Sequence, residues 1–253
     1  MSSELWTSLK GYQHLTKLQL DAWRLVEDQY ESATRKLVDT LEEHEILEDL
    51  LETSKPNQNT LSSNYNYLLS TPFLYPPLKH GSRFGNKLEP SLWYGSYILT
   101  TAMAEVAFYR FVFFDGWQTN VKLLNEILLT SFKVHVKTTN GIDLTKPPFI
   151  EHKHIISSPT TYFTSQLLGS KMRADNIKAF LYYSARDLDK GVNVGIFSPE
   201  IFLTKKPKEN SLSTWHCITS EESVEFVEKG IEKKKFLFEK NQFLINGVLP
   251  FPA

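Results

Sequence analysis

Residues 80–105 read HGSRFGNKLEPSLWYGSYILTTAMAE, a stretch too apolar to be surface that nonetheless carries Arg83, Tyr94 and Glu105. Arg83 follows a Gly-Ser turn and keeps its charge at any working pH. Tyr94 ends a short strand-like run, Leu92 to Tyr94. Glu105 falls on the apolar side of a helix expected over residues 98–113, together with Ala102, Val106 and Tyr109. Charges in apolar surroundings need a partner. Either Arg83 and Glu105 satisfy each other as a structural ion pair, or they line a pocket for a ligand that carries phosphate, hydroxyls and a flat ring.

Outward from this stretch, Leu5, Leu9, Tyr12, Leu15 and Leu18 recur at helical spacing. They predict an N-terminal helical extension over residues 1–20, packed on the chain itself or on a second copy in a homodimer, ahead of a main domain at 21–253. A short strand is expected at Ala22–Val26 and a helix over 32–52, stopped by Ser54-Lys55-Pro56. The segment Asn57 to Lys79, rich in Asn, Ser, Pro and Tyr, reads as a functional lid or an ordered irregular wrap, the wrap favoured because its aromatics need burial. Further strands are expected at Phe132–Lys137, Ala179–Tyr183, Val192–Phe197, Trp215–Ile218 and around Phe236–Leu244, with a helix over 161–176. Strands and helices mix without a strict alternation, which favours α+β over a doubly wound sheet.

The stretch around Arg83, Tyr94 and Glu105 resembles the signature of the RES domain family, named for an Arg, a Glu and a Ser in that chain order. The Ser lies downstream, in Leu181-Tyr182-Tyr183-Ser184-Ala185-Arg186-Asp187, followed by Gly191-Val192-Asn193-Val194-Gly195-Ile196-Phe197. The similarity also takes in Arg35-Lys36-Leu37-Val38-Asp39, Ser54-Lys55-Pro56, Ile142-Asp143-Leu144-Thr145 and the closing Gly247-Val248-Leu249-Pro250-Phe251-Pro252-Ala253. Where many shorter members have Asn and Pro after Arg-Trp or Arg-Phe, this chain has Phe84-Gly85-Asn86-Lys87. One inserted residue there would put Trp93 in place of Tyr94, while the eleven-residue step from Tyr94 to Glu105 favours Tyr94.

The resemblance implies a fold like that of the ADP-ribosyltransferases and cleavage of the nicotinamide–ribose bond of NAD, here a substrate and not a cofactor. Arg83 would then grip the diphosphate, since a planar guanidinium matches phosphate oxygens two at a time. Glu105 would take the ribose hydroxyls and oppose the positive charge that develops on the sugar. Tyr94 would offer a flat face to nicotinamide and a hydroxyl that orders ribose or water, Ser184 a hydrogen bond to ribose or amide, and Arg186 a second phosphate contact or a surface pair with Asp187. Water or phosphate would be the acceptor. Transfer of ADP-ribose to a protein, or nucleotide binding without turnover, are the alternatives. The family also implies an Xre-type helix-turn-helix antitoxin as partner. Taken singly, Tyr94 reads as core rather than as a ligand platform, and Ser184 as a turn residue.

Composition sets looser bounds. A chain of 253 residues, 41% of them hydrophobic, buries roughly 70–75% of its unfolded surface as one domain. A net charge of −1 gives no basic field for a polyphosphate backbone, so nucleic acid is not expected as a direct partner. The one cysteine, Cys217, cannot close an internal disulfide and suits a reducing cytoplasm. Met-Ser-Ser-Glu lacks the marks of a secretory signal, and Thr101–Phe114 is too short and too charged to span a bilayer. No metal site is expected, because His135, His152 and His154 have no ligand-like grouping. His80 draws notice only as a neighbour of Arg83.

Overall fold

The computed structural model describes residues 5–28, 64–116 and 125–251, with positions 40, 42, 43, 45–47 and 50 between them. The helix expected over 32–52 therefore lies outside the described residues except at those positions, as do its stop at 54–56 and the start of the wrap. Eight strands in the described residues form one mixed sheet with flanking helices. They are β1 (Thr16–Glu27), β2 (Trp93–Ser96), β3 (Asn125–Asp143), β4 (Ala179–Tyr183), β5 (Val192–Ile196), β6 (Ser213–Thr219), β7 (Ser223–Glu228) and β8 (Lys235–Glu239). The sheet order is β1-β2-β5-β4-β3-β6-β7-β8, and β1 also pairs with β3, so the first five strands close on themselves. Only β3 and β4 run parallel. Closure removes the edge that β1 would otherwise present.

The N-terminal expectation fails. In place of a helix over residues 3–20 there is one turn, α1 (Leu5–Ser8), a 3₁₀ turn at Gly11–Gln13, and then β1. The boundary expected between residues 20 and 21 falls inside that strand. Leu5 and Trp6 pack in this chain's own core with Phe149 and Leu168, and the Trp6 indole donates to the Asp175 carboxylate at 2.6 Å. Pairing overrode periodicity here, because β1 gains an almost continuous ladder with β3 from Leu18 to Glu27. The expected wrap holds a helix, α2 (Tyr67–Leu74), capped by the Asn66 side chain on the Leu68 N–H and burying Leu68 and Leu69.

The helix expected over 98–113 is α3 (Leu99–Asp115), buried through Met103, Ala107, Phe108 and Phe111. α4 (Lys153–Ile156) is one turn, and α5 (Phe163–Ala174) runs where a helix was expected. Gly169 on α5 sits so close to the Phe84 carbonyl that an added Cβ would lie 1.9 Å from its oxygen. That approach clamps α5 against the segment carrying Arg83. The α+β class thus holds, with a sheet longer at its C-terminal end than expected: β7 was missed, although Val224 and Phe226 alternate inward.

Candidate active site

A cleft of about 430 Å³ opens between β1, β2 and α3, and Arg24, Arg83, Tyr94, Glu105, Tyr109 and Asn193 are among its lining residues. Five separate segments deliver them. Arg24 comes from β1, Arg83 from a tight turn before β2, Tyr94 from β2 itself, Glu105 and Tyr109 from one face of α3, and Asn193 from β5.

The Arg83 turn is fastened on both sides. Ser82 N–H donates to the Gly85 carbonyl at 2.7 Å, and Gln166 on α5 donates to the His80 and Ser82 carbonyls at 3.0 Å each. The Tyr94 hydroxyl accepts from the Phe84 N–H and shares a hydrogen bond with the Ser82 hydroxyl, both at 2.9 Å. Tyr94 therefore grips the residues flanking Arg83. Burial pushes its hydroxyl up to about 12, with Ser82 and the Phe84 N–H opposing, so it stays protonated. Its hydroxyl is committed to the turn, whereas sequence alone suggested one that orders ribose or water. Trp93 faces the other way, packed edge-on to Phe202 in the core beneath, because successive strand residues point to opposite faces.

Arg83 is 5% exposed. Its Nη1 donates to the Ser158 carbonyl at 2.7 Å, its guanidinium stacks over Tyr162 at 4.6 Å, and its Nη2 has no partner. It forms no salt bridge with Glu105, so the structural ion pair is not what holds these charges. Arg24 repeats the pattern: Nη1 donates to the Tyr94 carbonyl at 2.9 Å, Nε is unpartnered, and the guanidinium lies over Trp93. Burial pushes Arg24 down to about 10, which leaves it charged at neutral pH. A buried N–H without a partner costs about 1–3 kcal/mol, and two such cations beside one cleft suit an anionic ligand.

Glu105 is held differently. Its Oε1 accepts from the Ser184 hydroxyl and from the Asn193 amide, each at 2.6 Å, and no hydrogen bond falls on Oε2 among the described residues. Ser184 in turn accepts from the Arg186 and Asp187 N–H groups at 3.0 Å. The sequence brought Ser184 to the site but not its direction: it stands behind Glu105, outside the cleft lining, where a bond to ribose or amide was expected. Gly191 closes this turn, since an added Cβ would lie 2.0 Å from the Thr101 hydroxyl. Arg186 also lies outside the lining. Its guanidinium stacks on Phe108 at 3.4 Å and burial lowers its pKa, with Tyr162 and Glu105 opposing. It makes no salt bridge with Asp187, which instead accepts from Thr101 at 2.6 Å.

Four residues of this site were not singled out from sequence: Arg24, Tyr162, Asn193 and Tyr182. Tyr162 and Tyr109 share a hydroxyl–hydroxyl hydrogen bond of 2.7 Å, and burial together with that neighbour holds the Tyr109 hydroxyl well above its ordinary range. The only sequence signal was Asn193, a polar residue in the apolar run Val192–Phe197. Among the described residues no cluster of His, Cys, Asp and Glu is arranged to hold a metal, and no helix is long and apolar enough to cross a membrane.

A family model described as "RES domain" matches residues 60–219 of this chain. It spans Arg83, Tyr94, Glu105, Ser184, Arg186 and Asn193, and leaves out Arg24. Among solved structures the chain is similar to one titled "Crystal structure of the M.tuberculosis MbcT-MbcA toxin-antitoxin complex", at 11% identity and a TM-score of 0.46, covering 79% of this chain and 92% of that one. No curated protein matches by sequence.

Proposed function

This chain belongs to the RES domain family, and from that membership and the geometry of its cleft we propose that it cleaves the nicotinamide–ribose bond of NAD, with water or phosphate as acceptor. One observation carries the reading: a carboxylate tied down at one oxygen and open at the other shares a cleft with two unpaired guanidiniums.

In this reading Arg83 and Arg24 take the diphosphate, and Glu105 Oε2 accepts from a ribose hydroxyl. The C1′–N bond breaks with its electron pair leaving on nicotinamide, which departs neutral and needs no acid. Positive charge spreads over C1′ and the ring oxygen, and the Glu105 carboxylate opposes it. An oxygen of water or phosphate then bonds to C1′ and gives up its proton to solvent. Tyr94 holds the Arg83 turn in place throughout. A toxin role, restrained by an Xre-type helix-turn-helix antitoxin, is the physiological form of this proposal.

The test is release of free nicotinamide from NAD by the purified chain, with and without inorganic phosphate, and the mass of the sugar product. ADP-ribose means water, and its 1-phosphate means phosphate. Release only when a protein acceptor is added would replace this reading with ADP-ribosyl transfer. NAD binding without release would replace it with a binding module. Induced expression without a partner is expected to deplete cellular NAD before growth stops. Arrest with NAD intact would remove the toxin role as stated.

A further inference from the structure

We propose that Asn193, oriented by Ser96, is a positioning residue for Glu105 that holds one carboxylate oxygen occupied and directs the other to the substrate. The proposal rests on the NAD-cleaving reading for its kinetic consequences, but its hydrogen-bond content stands on geometry alone.

Every hydrogen around Glu105 Oε1 can be assigned. The Ser184 hydroxyl accepts two backbone N–H groups, so its single hydrogen is directed at Oε1. Asn193 meets the same oxygen at 2.6 Å. A carboxylate oxygen only accepts, so the amide must turn its NH2 toward it. The amide oxygen is then fixed on the far side, 2.6 Å from the Ser96 hydroxyl, which must donate. Ser96 and Asn193 are direct cross-strand partners in the β2–β5 ladder, so both side chains stand on one sheet face. They are 2% and 1% exposed, and water does not compete for these bonds. Donors alone face Oε1. No proton can sit there, and Oε2 is the one Glu105 oxygen available to a ligand. Ser184 alone would leave the carboxylate free to rotate about one bond; a second donor from a different strand removes that freedom.

The groups around this pair are Arg83 from its turn, Arg186 from the segment after β4, Arg24 from β1, Tyr109 from α3 and Tyr182 from β4. None of them replaces the Asn193 donor on Oε1.

Asn193→Asp supplies the test, because it keeps size and shape and the acceptor toward Ser96 while placing a carboxylate against Oε1. Two carboxylates at that distance cannot both ionise and must share a proton. Infrared spectra of the purified chain read the protonated carboxyl directly, whether or not the protein turns over NAD. Asn193→Asp is expected to retain a protonated carboxyl at neutral pH that disappears in Asn193→Asp/Glu105→Gln. In the rate profile its acid limb moves up by about one pH unit or more, while KM for NAD stays within about threefold of wild type. Spectra of Asn193→Asp with no shared proton would overturn the proposal even if wild type releases nicotinamide. A shared proton in a chain that never releases nicotinamide would uphold the geometry and sink the NAD reading. Should Asp at 193 prevent folding, Ser96→Ala removes only the hydroxyl that orients the amide. Its kcat is expected to fall roughly 3–10-fold at unchanged KM, as loosened positioning does, and an unchanged kcat would overturn the proposal.

Discussion

The two walls of the cleft are built on opposite principles. On the wall formed by α3, β5 and the turn after β4, the polar groups that hold Glu105 match one another: Ser184 and Asn193 donate to it, and each is itself oriented by a further group. On the wall formed by β1 and the Arg83 turn, guanidinium N–H groups of Arg24 and Arg83 end without partners. The bonds that hold the carboxylate are complete without a ligand, although Arg186 behind them keeps Nε and Nη2 unpartnered, and the two cleft-lining guanidiniums are left with N–H groups that suit an anion. Damage to the two walls should therefore register in different measurements. Loss of a group on the carboxylate wall should slow turnover while binding survives, and loss on the arginine wall should weaken binding first.

The largest expected effect falls on the arginine wall. Arg24→Gln/Arg83→Gln retains a donor for the Tyr94 and Ser158 carbonyls but removes both charges, and NAD binding measured by calorimetry should weaken by at least ~100-fold, since a hydrogen bond to a charged group contributes about 1.5–3 kcal/mol. Unchanged affinity would erase the contrast between the walls. Next comes Ser184→Ala, which withdraws one of two donors from Glu105. Its kcat should drop roughly 10–100-fold with little change in KM, and a rise in KM alone would return Ser184 to the substrate-contacting role its sequence position suggested. Arg83→Lys should weaken binding about 10-fold, because an ammonium keeps the charge but not the paired geometry.

Smaller still is Tyr94→Phe, which strips two hydrogen bonds from the Arg83 turn. Thermal unfolding should show a loss of about 1–3 kcal/mol, with the rate following only as Arg83 drifts. The same hydroxyl sets a pH dependence. Its folded pKa of about 12 lies above the ordinary tyrosine value of 10.0, so between these the unfolded chain binds fewer protons than the folded one and stability falls as pH rises. Unfolding followed from pH 9 to 12 in wild type and Tyr94→Phe should show a steeper decline in wild type. Parallel curves would mean that the hydroxyl is not buried as described.

How much of this was legible in the sequence depended on how local the cause was. Residues 80–105 carry their own punctuation, a Gly-Ser turn, a short strand and an apolar helix with one carboxylate, and the structure returns each of them. The second half of β1 was expected as a strand at Ala22–Val26, but its first half was misread because Leu15 and Leu18 continue the helical spacing of Leu5, Leu9 and Tyr12. Only the distant partner β3 makes that segment a strand, and a single-sequence period cannot see it. The companions of Glu105 were hidden for the same reason, with Asn193 reaching it across 88 positions. Arg24 sits within the strand expected at Ala22–Val26, and nothing local marks it. For Ser184 the difference is finer: its presence beside the site follows from motif order, but its direction depends on two backbone N–H groups in its own turn.

The most direct test of the division between a finished wall and an unfinished one is Glu105→Gln, assayed for NAD affinity by calorimetry and for nicotinamide release on the same preparation. A neutral amide keeps the shape and loses the charge that opposes the oxocarbenium, so affinity should stay within a few-fold of wild type while release falls by at least ~100-fold. Release at a near-normal rate, or loss of binding in step with loss of release, would contradict the account.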